Sequence, residues 1–89
     1  MKIIKNASAG TMESSDAYVE IMPGSGKIDI QLESVVKQQF GEEIEKTVRD
    51  VLIENDVESA SVRVVDRGAL ECVIRARVET AVLRGKGNE

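Results

Sequence analysis

Leu70-Glu71-Cys72-Val73-Ile74-Arg75-Ala76-Arg77-Val78-Glu79-Thr80-Ala81-Val82-Leu83 alternates over a long run. Leu70, Cys72, Ile74, Ala76, Val78, Thr80 and Val82 share one side, and Glu71, Val73, Arg75, Arg77 and Glu79 form most of the other. A period of two is that of a half-buried strand, so a C-terminal strand is predicted here. Ahead of it, Asp66-Arg67-Gly68 carries turn chemistry. Ser59 to Asp66, where Val62 and Val64 alternate with Ser61 and Arg63, predicts the strand that pairs with it.

Working outward, the same period appears twice nearer the N-terminus. Asp16 to Met22 sets Ala17, Val19 and Ile21 against Tyr18, Glu20 and Met22. Lys27 to Glu33 sets Ile28, Ile30 and Leu32 against Lys27, Asp29, Gln31 and Glu33. Pro23-Gly24-Ser25-Gly26 lies between them, and Pro23 has no N–H to continue a ladder, so a second hairpin is predicted. Between the two hairpins the period changes. Val36, Phe40, Ile44, Val48, Val51 and Leu52 step by three and four, which is one face of a helix over Val35 to about Asn55. Ser34 is a natural N-cap and Asn55 a reasonable C-terminal residue.

The order hairpin, helix, hairpin predicts an α+β fold. It is a two-layer sandwich with an antiparallel sheet of about four strands (two hairpins) covered by one amphipathic helix. Residues 1–89 form a single domain. Residues 1–15 have no clear period and predict an ordered or semi-ordered loop, mobile over about 7–15, with a short pairing segment near Met1–Ile4. The tail 84–89 has nothing to bury and is expected to be flexible.

Composition excludes several kinds of chemistry. The 89 residues include no His, one Cys and no Trp, and Tyr18 and Phe40 are the only aromatics. A Ser-His or Cys-His nucleophile pair, a cysteine metal cage and a base-stacking platform are therefore ruled out within the chain. The net charge of −4 argues against binding to a nucleic-acid backbone. No apolar run approaches the roughly 20 residues of a membrane span, and the N-terminus lacks the apolar core of a signal peptide, so a cytoplasmic protein is expected. Residues 41–62 hold seven acidic and two basic side chains. That excess reads as a solvated helix face, with a docking face for a basic partner as the functional alternative.

Few residues remain as candidates for chemistry. Cys72, between Leu70 and Ile74 on the apolar side of the last predicted strand, reads as a buried inert thiol. Gly24-Ser25-Gly26 precedes a strand and not a helix, so it reads as a turn and not a phosphate loop. Glu42 and Glu43 sit on a solvated helix without a cleft. Ala9-Gly10-Thr11-Met12-Glu13-Ser14-Ser15-Asp16 is small and polar, with serines flanked by acids. Turn chemistry at a strand entrance accounts for it, but so does a hydroxyl presented to another enzyme, which would have to supply the activating base.

That segment, with Val36-Lys37-Gln38-Gln39-Phe40-Gly41 and Asp66-Arg67-Gly68-Ala69-Leu70-Glu71-Cys72-Val73-Ile74-Arg75-Ala76-Arg77, resembles the citrate lyase acyl carrier proteins, the gamma subunits of that complex. The three motifs occur in order and at matching spacing over almost the whole chain. Met12 stands for the family's Leu and Arg67 for its commoner Lys, and the tail stops sooner than in many members. The resemblance implies a carrier subunit that is not itself an enzyme. A serine would bear 2'-(5''-phosphoribosyl)-3'-dephospho-CoA through a phosphodiester. The matching residue is Ser14, with Ser15 as the adjacent alternative and Glu13 and Asp16 in support. The arm's thiol would carry acetyl and citryl thioesters between the alpha subunit, which exchanges acetyl for citryl, and the beta subunit, which releases oxaloacetate. A holo-acyl carrier protein synthase and an acetylating ligase would be further partners, with no role for nucleic acid or membrane. Two other readings stay open: the acyl carrier subunit of malonate decarboxylase, and an unmodified α+β interaction module.

Overall fold

The structure, a computed structural model, describes residues 2–87. Its elements run β1 (Ala7–Gly10), β2 (Ala17–Pro23), β3 (Ile28–Ser34), α1 (Lys37–Glu54), β4 (Ala60–Asp66) and α2 (Glu71–Gly85). The four strands form one sheet in the order β1-β2-β4-β3. β2 is antiparallel to β1 and β4, while β3 runs parallel to β4. The described residues thus form a two-layer α+β sandwich, with both helices packed on one face of a mixed sheet. α2 lies over β1 and β2, α1 over β3, and the helices pack against each other.

Three parts of the expected fold are corrected: the loop expected over about 7–15 begins with strand β1 (Ala7–Gly10), which pairs with β2, and the other two concern the C-terminal segment and the topology. Residues 70–83 form a helix and not a strand, so the sheet carries two helices instead of one. Ile74, Val78, Ala81, Val82 and Gly85 are the buried positions, spaced four, three, one and three residues apart. Read as a strand, the segment would have aligned Ile74, Val78 and Val82 with Cys72, Ala76 and Thr80. Cys72 and Ala76 are instead exposed. β-branched residues at five of these positions favour a strand by propensity, but the helical stripe covers the sheet over β1 and β2, and tertiary packing overrides propensity.

The third correction concerns topology. β2 and β3 do not pair with each other, because β4 lies between them. Only β1 and β2 form a hairpin, and β3-α1-β4 is a parallel crossover unit, the connection that needs a helix-length link. The turn at 24–27 spans β4 and is pinned to its start. Gly26 N–H donates to Ser59 Oγ at 2.8 Å and Ala60 N–H to the Lys27 carbonyl at 3.1 Å. β4 takes the centre because Val62, Val64 and Val65 are all buried and both its edges are paired. β3, with exposed Asp29, Gln31 and Glu33 on one face, stays at an edge, where charge blunts pairing with other chains.

The three strand boundaries read from alternation otherwise hold within one residue, and Asn55 caps α1. α1 begins at Lys37, after Val36, and no side chain caps it. Ser34 instead ends β3, donating to Asp66 Oδ2 at 2.8 Å and accepting from Val36 N–H at 3.1 Å. The core joins Val19 and Ile21 of β2, Val62 and Val64 of β4, Val48, Val51 and Leu52 of α1 and Val78 and Val82 of α2. Each such side chain contributes about 1.5–3 kcal/mol by leaving water. Ahead of β1, Ile3 is buried, and Ile4 and Lys5 donate backbone N–H groups to the Gly85 carbonyl. The expected pairing segment near Met1–Ile4 is therefore not a strand within the described residues. Of the tail expected to be flexible, Arg84 and Gly85 belong to α2, and Asn88 and Glu89 lie outside the described residues.

Candidate functional site

Residues 11–16 join β1 to β2 at one end of the sheet. Gly10, the last residue of β1, has φ +97, and a Cβ there would fall 1.9 Å from the Ala17 carbonyl oxygen. Only glycine lets the two chains approach that closely while entering the connection. Thr11 N–H then donates to the Ala17 carbonyl at 3.2 Å. At the tip, Asp16 N–H donates to the Glu13 carbonyl at 3.1 Å and closes a four-residue turn. Ser15, its third residue, has φ 67, a backbone state that disfavours a side chain. Ser14 occupies the preceding corner. Its side chain is exposed, and among the described residues it has no hydrogen-bond partner.

The base of this turn is braced from three directions. Asp16 accepts two hydrogen bonds from the Arg77 guanidinium, Nε to Oδ1 at 3.0 Å and Nη2 to Oδ2 at 2.8 Å. The same carboxylate accepts from Thr11 Oγ1 and from its neighbour's N–H on Ala17, each at 2.7 Å. These donors, Arg77 first, hold the Asp16 carboxyl well below the usual range. Two parallel N–H···O bonds to a carboxylate fix orientation as well as supplying energy. Finally, Ser15 N–H donates to the Arg67 carbonyl at 2.8 Å and Arg67 N–H to the Asp16 carbonyl at 2.9 Å, tying the turn to the β4–α2 connection.

That connection is itself built on Asp66, which is 1% exposed. Its Oδ1 accepts from the N–H groups of Gly68 and Ala69, and its Oδ2 from Ser34. Beside the connection opens a cleft of about 320 Å³ between the first turns of α1 and α2, which Gly68 and Ala69 help to line. Val36, Phe40, Ile44, Ala69 and Ile74 give it apolar walls, and Glu43 and Glu71 are also among its lining residues. Phe40, expected in the core, is 47% exposed because it sits at this cleft.

The structure therefore places Glu13, Ser14, Ser15 and Asp16 in one turn but gives them different surroundings. Glu13 and Ser14 are exposed, while Asp16 is committed to bracing. Thr11 lies within the segment singled out from the sequence, but Arg67 and Arg77 were not legible as parts of this site. Arg77 lies 61 residues beyond Asp16, and its reach depends on 70–83 being helical. Cys72, expected to be buried, is exposed on α2. Among the described residues no cluster of His, Cys, Asp or Glu is arranged to hold a metal, and no helix is long and apolar enough to cross a membrane.

The fold and this turn define a small two-layer α+β protein that presents exposed serines on a braced connection between β1 and β2. Comparison with known proteins identifies its kind. Residues 4–85 match the family described as malonate decarboxylase delta subunit (MdcD). The citrate lyase acyl carrier protein 2 of Salmonella typhimurium is 58% identical over 85 residues, covering 94% of this chain and 88% of that protein. The citrate lyase acyl carrier proteins of Escherichia fergusonii and Pectobacterium atrosepticum are 55% and 50% identical, each over 94% of this chain and 88% of theirs. A chain of a Pseudomonas malonate decarboxylase hetero-tetramer, solved in complex with malonate, superposes with a TM-score of 0.80 over 94% of this chain and 87% of that one. At 23% identity this last likeness concerns the fold alone. The chain belongs to the acyl carrier protein family that serves citrate lyase and malonate decarboxylase, as a homologue of the citrate lyase acyl carrier proteins.

Proposed function

We propose that this protein is the acyl carrier subunit of a citrate lyase, with its prosthetic arm attached to Ser14. The observation that carries the reading is the exposed Ser14 hydroxyl, without a partner among the described residues, at the corner of a turn whose base is braced without it. A phosphodiester on that oxygen disturbs none of the bonds that hold the turn, so the residues present fit the group. Identity of 50–58% to citrate lyase carriers, against 23% to the malonate decarboxylase chain, favours citrate lyase over malonate decarboxylase.

When attached, 2'-(5''-phosphoribosyl)-3'-dephospho-CoA supplies a thiol that holds acetyl and citryl groups as thioesters for the alpha and beta subunits. The chain's own work is mechanical. Arg77, Asp16 and Thr11 fix the direction in which Ser14 projects. Exposed Glu13 offers the modifying synthase a charge beside the hydroxyl, and that enzyme supplies the base a serine needs. Tethering raises the effective concentration of the acyl group at both active sites without new contacts. The cytoplasm is the compartment this reading assigns.

The test is intact mass with fragmentation after production alongside the active modifying enzyme. The wild-type chain and Ser15→Gly are expected to carry one adduct on Ser14, and Ser14→Ala none. An unmodified wild-type chain overturns the reading in favour of an interaction module, and an adduct on Ser15 moves the site by one residue.

A further inference from the structure

We propose that the cleft between α1 and α2 is a resting site for the arm's own end when that end is uncharged, and that Glu43 and Glu71 exclude the same end once it bears a carboxylate. The inference rests on the attachment proposed above and goes beyond it by giving the carrier a selectivity of its own.

Position comes first. The Arg67 carbonyl holds the amide of Ser15, next to Ser14, and the following residues, Gly68 and Ala69, line the cleft. Attachment turn and cleft thus share one short connection, which Asp66 holds through the N–H groups of Gly68 and Ala69. Chemistry comes second. Val36, Phe40, Ile44, Ala69 and Ile74 present carbon, and the volume of about 320 Å³ is at the small end of ligand sites. A thiol or acetyl thioester on an amide chain is small and neutral, and gains by leaving water there. Charge comes third. Glu43, Glu71 and the buried Asp66 all line the same cleft, and no basic side chain is among its lining residues. An acyl group ending in carboxylates meets like charge in a partly desolvated cleft and stays outside. The neutral form is thereby sheltered from water, and the carboxylated form is left free for the next active site.

The experiment uses the full chain with its arm, confirmed by intact mass, in a Cys72→Ser background so that the arm bears the only thiol. The thiol is capped with iodoacetamide, leaving a neutral amide, or with iodoacetate, leaving a carboxylate of nearly the same size. The methyl signals of Ile44, Ala69 and Ile74 are followed by NMR. They are expected to shift from their apo positions with the neutral cap and return with the anionic one. Glu43→Gln with Glu71→Gln is expected to admit both caps. The rate of capping by iodoacetamide is expected to fall roughly three- to tenfold below that of free coenzyme A, as when about 70–90% of arms rest in the cleft. Ala69→Leu, which fills the cleft, and Phe40→Ala, which opens it, are each expected to restore the free rate. An attached arm with unshifted methyls, or with the capping rate of free coenzyme A, overturns the inference and leaves the attachment standing. Absence of the arm overturns the attachment, and this inference with it. Methyl shifts in the apo protein that grow with concentration assign the cleft to a second copy and overturn the inference.

Discussion

Gly10 and Asp16 do the structural work around Ser14, and both act by geometry. At Gly10 a Cβ meets the Ala17 carbonyl oxygen at 1.9 Å on a backbone with φ +97. Gly10→Ala is therefore expected to cost roughly 2–5 kcal/mol, combining left-handed strain with overpacking, as measured by urea unfolding. Asp16 acts through charge. Its folded carboxyl titrates below the ordinary value because Arg77, Thr11 and the Ala17 N–H all favour the ionised form. A group whose pKa is lowered by folding stabilises the protein above the unfolded value, about 3.9, and loses that stabilisation as pH falls below it. Thermal unfolding of wild type and Asp16→Asn is thus expected to differ most near neutral pH. The gap should close as pH drops from about 5 toward 2. A gap that stays constant over that range assigns the effect to something other than the carboxylate's charge. The polar segment 9–16 was legible in the sequence as a turn with serines between acids, and the resemblance to the citrate lyase carriers singled out Ser14 within it. Its bracing partners were not, since Arg67 and Arg77 come from the other half of the chain.

At the scale of elements, α2 separates what periodicity can tell from what it cannot. Both a period of two and a period of about 3.6 pass through Ile74, Val78 and Val82, so the largest buried side chains do not distinguish them. Gly85 does, because it belongs to the helical stripe and packs closely, a Cβ there falling 3.0 Å from Ile21. Arg75, which bonds to Glu54 of α1, and Arg84, which bonds to the Ser8 carbonyl at 2.8 Å, likewise reach neighbours from a helical spacing. Proline at exposed Ala76 tests the assignment directly. In a helix interior it removes one hydrogen bond and clashes with the preceding turn, so Ala76→Pro is expected to cost about 3 kcal/mol or more. Ala76→Ser at the same site serves as the control and is expected to change stability little. Equal melting temperatures for the two variants contradict the helix. By contrast α1 was legible from its pattern, because Val51 beside Leu52 breaks the two-residue period that Ile44, Val48 and Leu52 alone would also fit, and all four are buried.

Over the whole molecule, the site gathers at one end of the sheet because β3 and β4 run parallel and both finish there. Ser34 and Asp66, their last residues, are paired in register and joined by a side-chain hydrogen bond. The start of β2 pairs with Asp66 at that same end, which brings the Ser14 turn alongside. A central β4 protected on both edges is expected to hold the slowest-exchanging backbone amides, with β1 and β3 faster, in native-state hydrogen exchange. Slower exchange in β3 than in β4 contradicts the strand order. The sequence by itself determined three strand segments to within a residue (read as 16–22, 27–33 and 59–66) and the helix α1, since each depends on residues close together along the chain, and its composition excluded a Ser-His or Cys-His pair and a cysteine metal cage. Only the tertiary structure decided that residues 70–83 are helical, that β4 enters between β2 and β3, and that Arg77 reaches Asp16. Those outcomes depend on which surfaces cover one another, and neither local propensity nor a short turn encodes that choice.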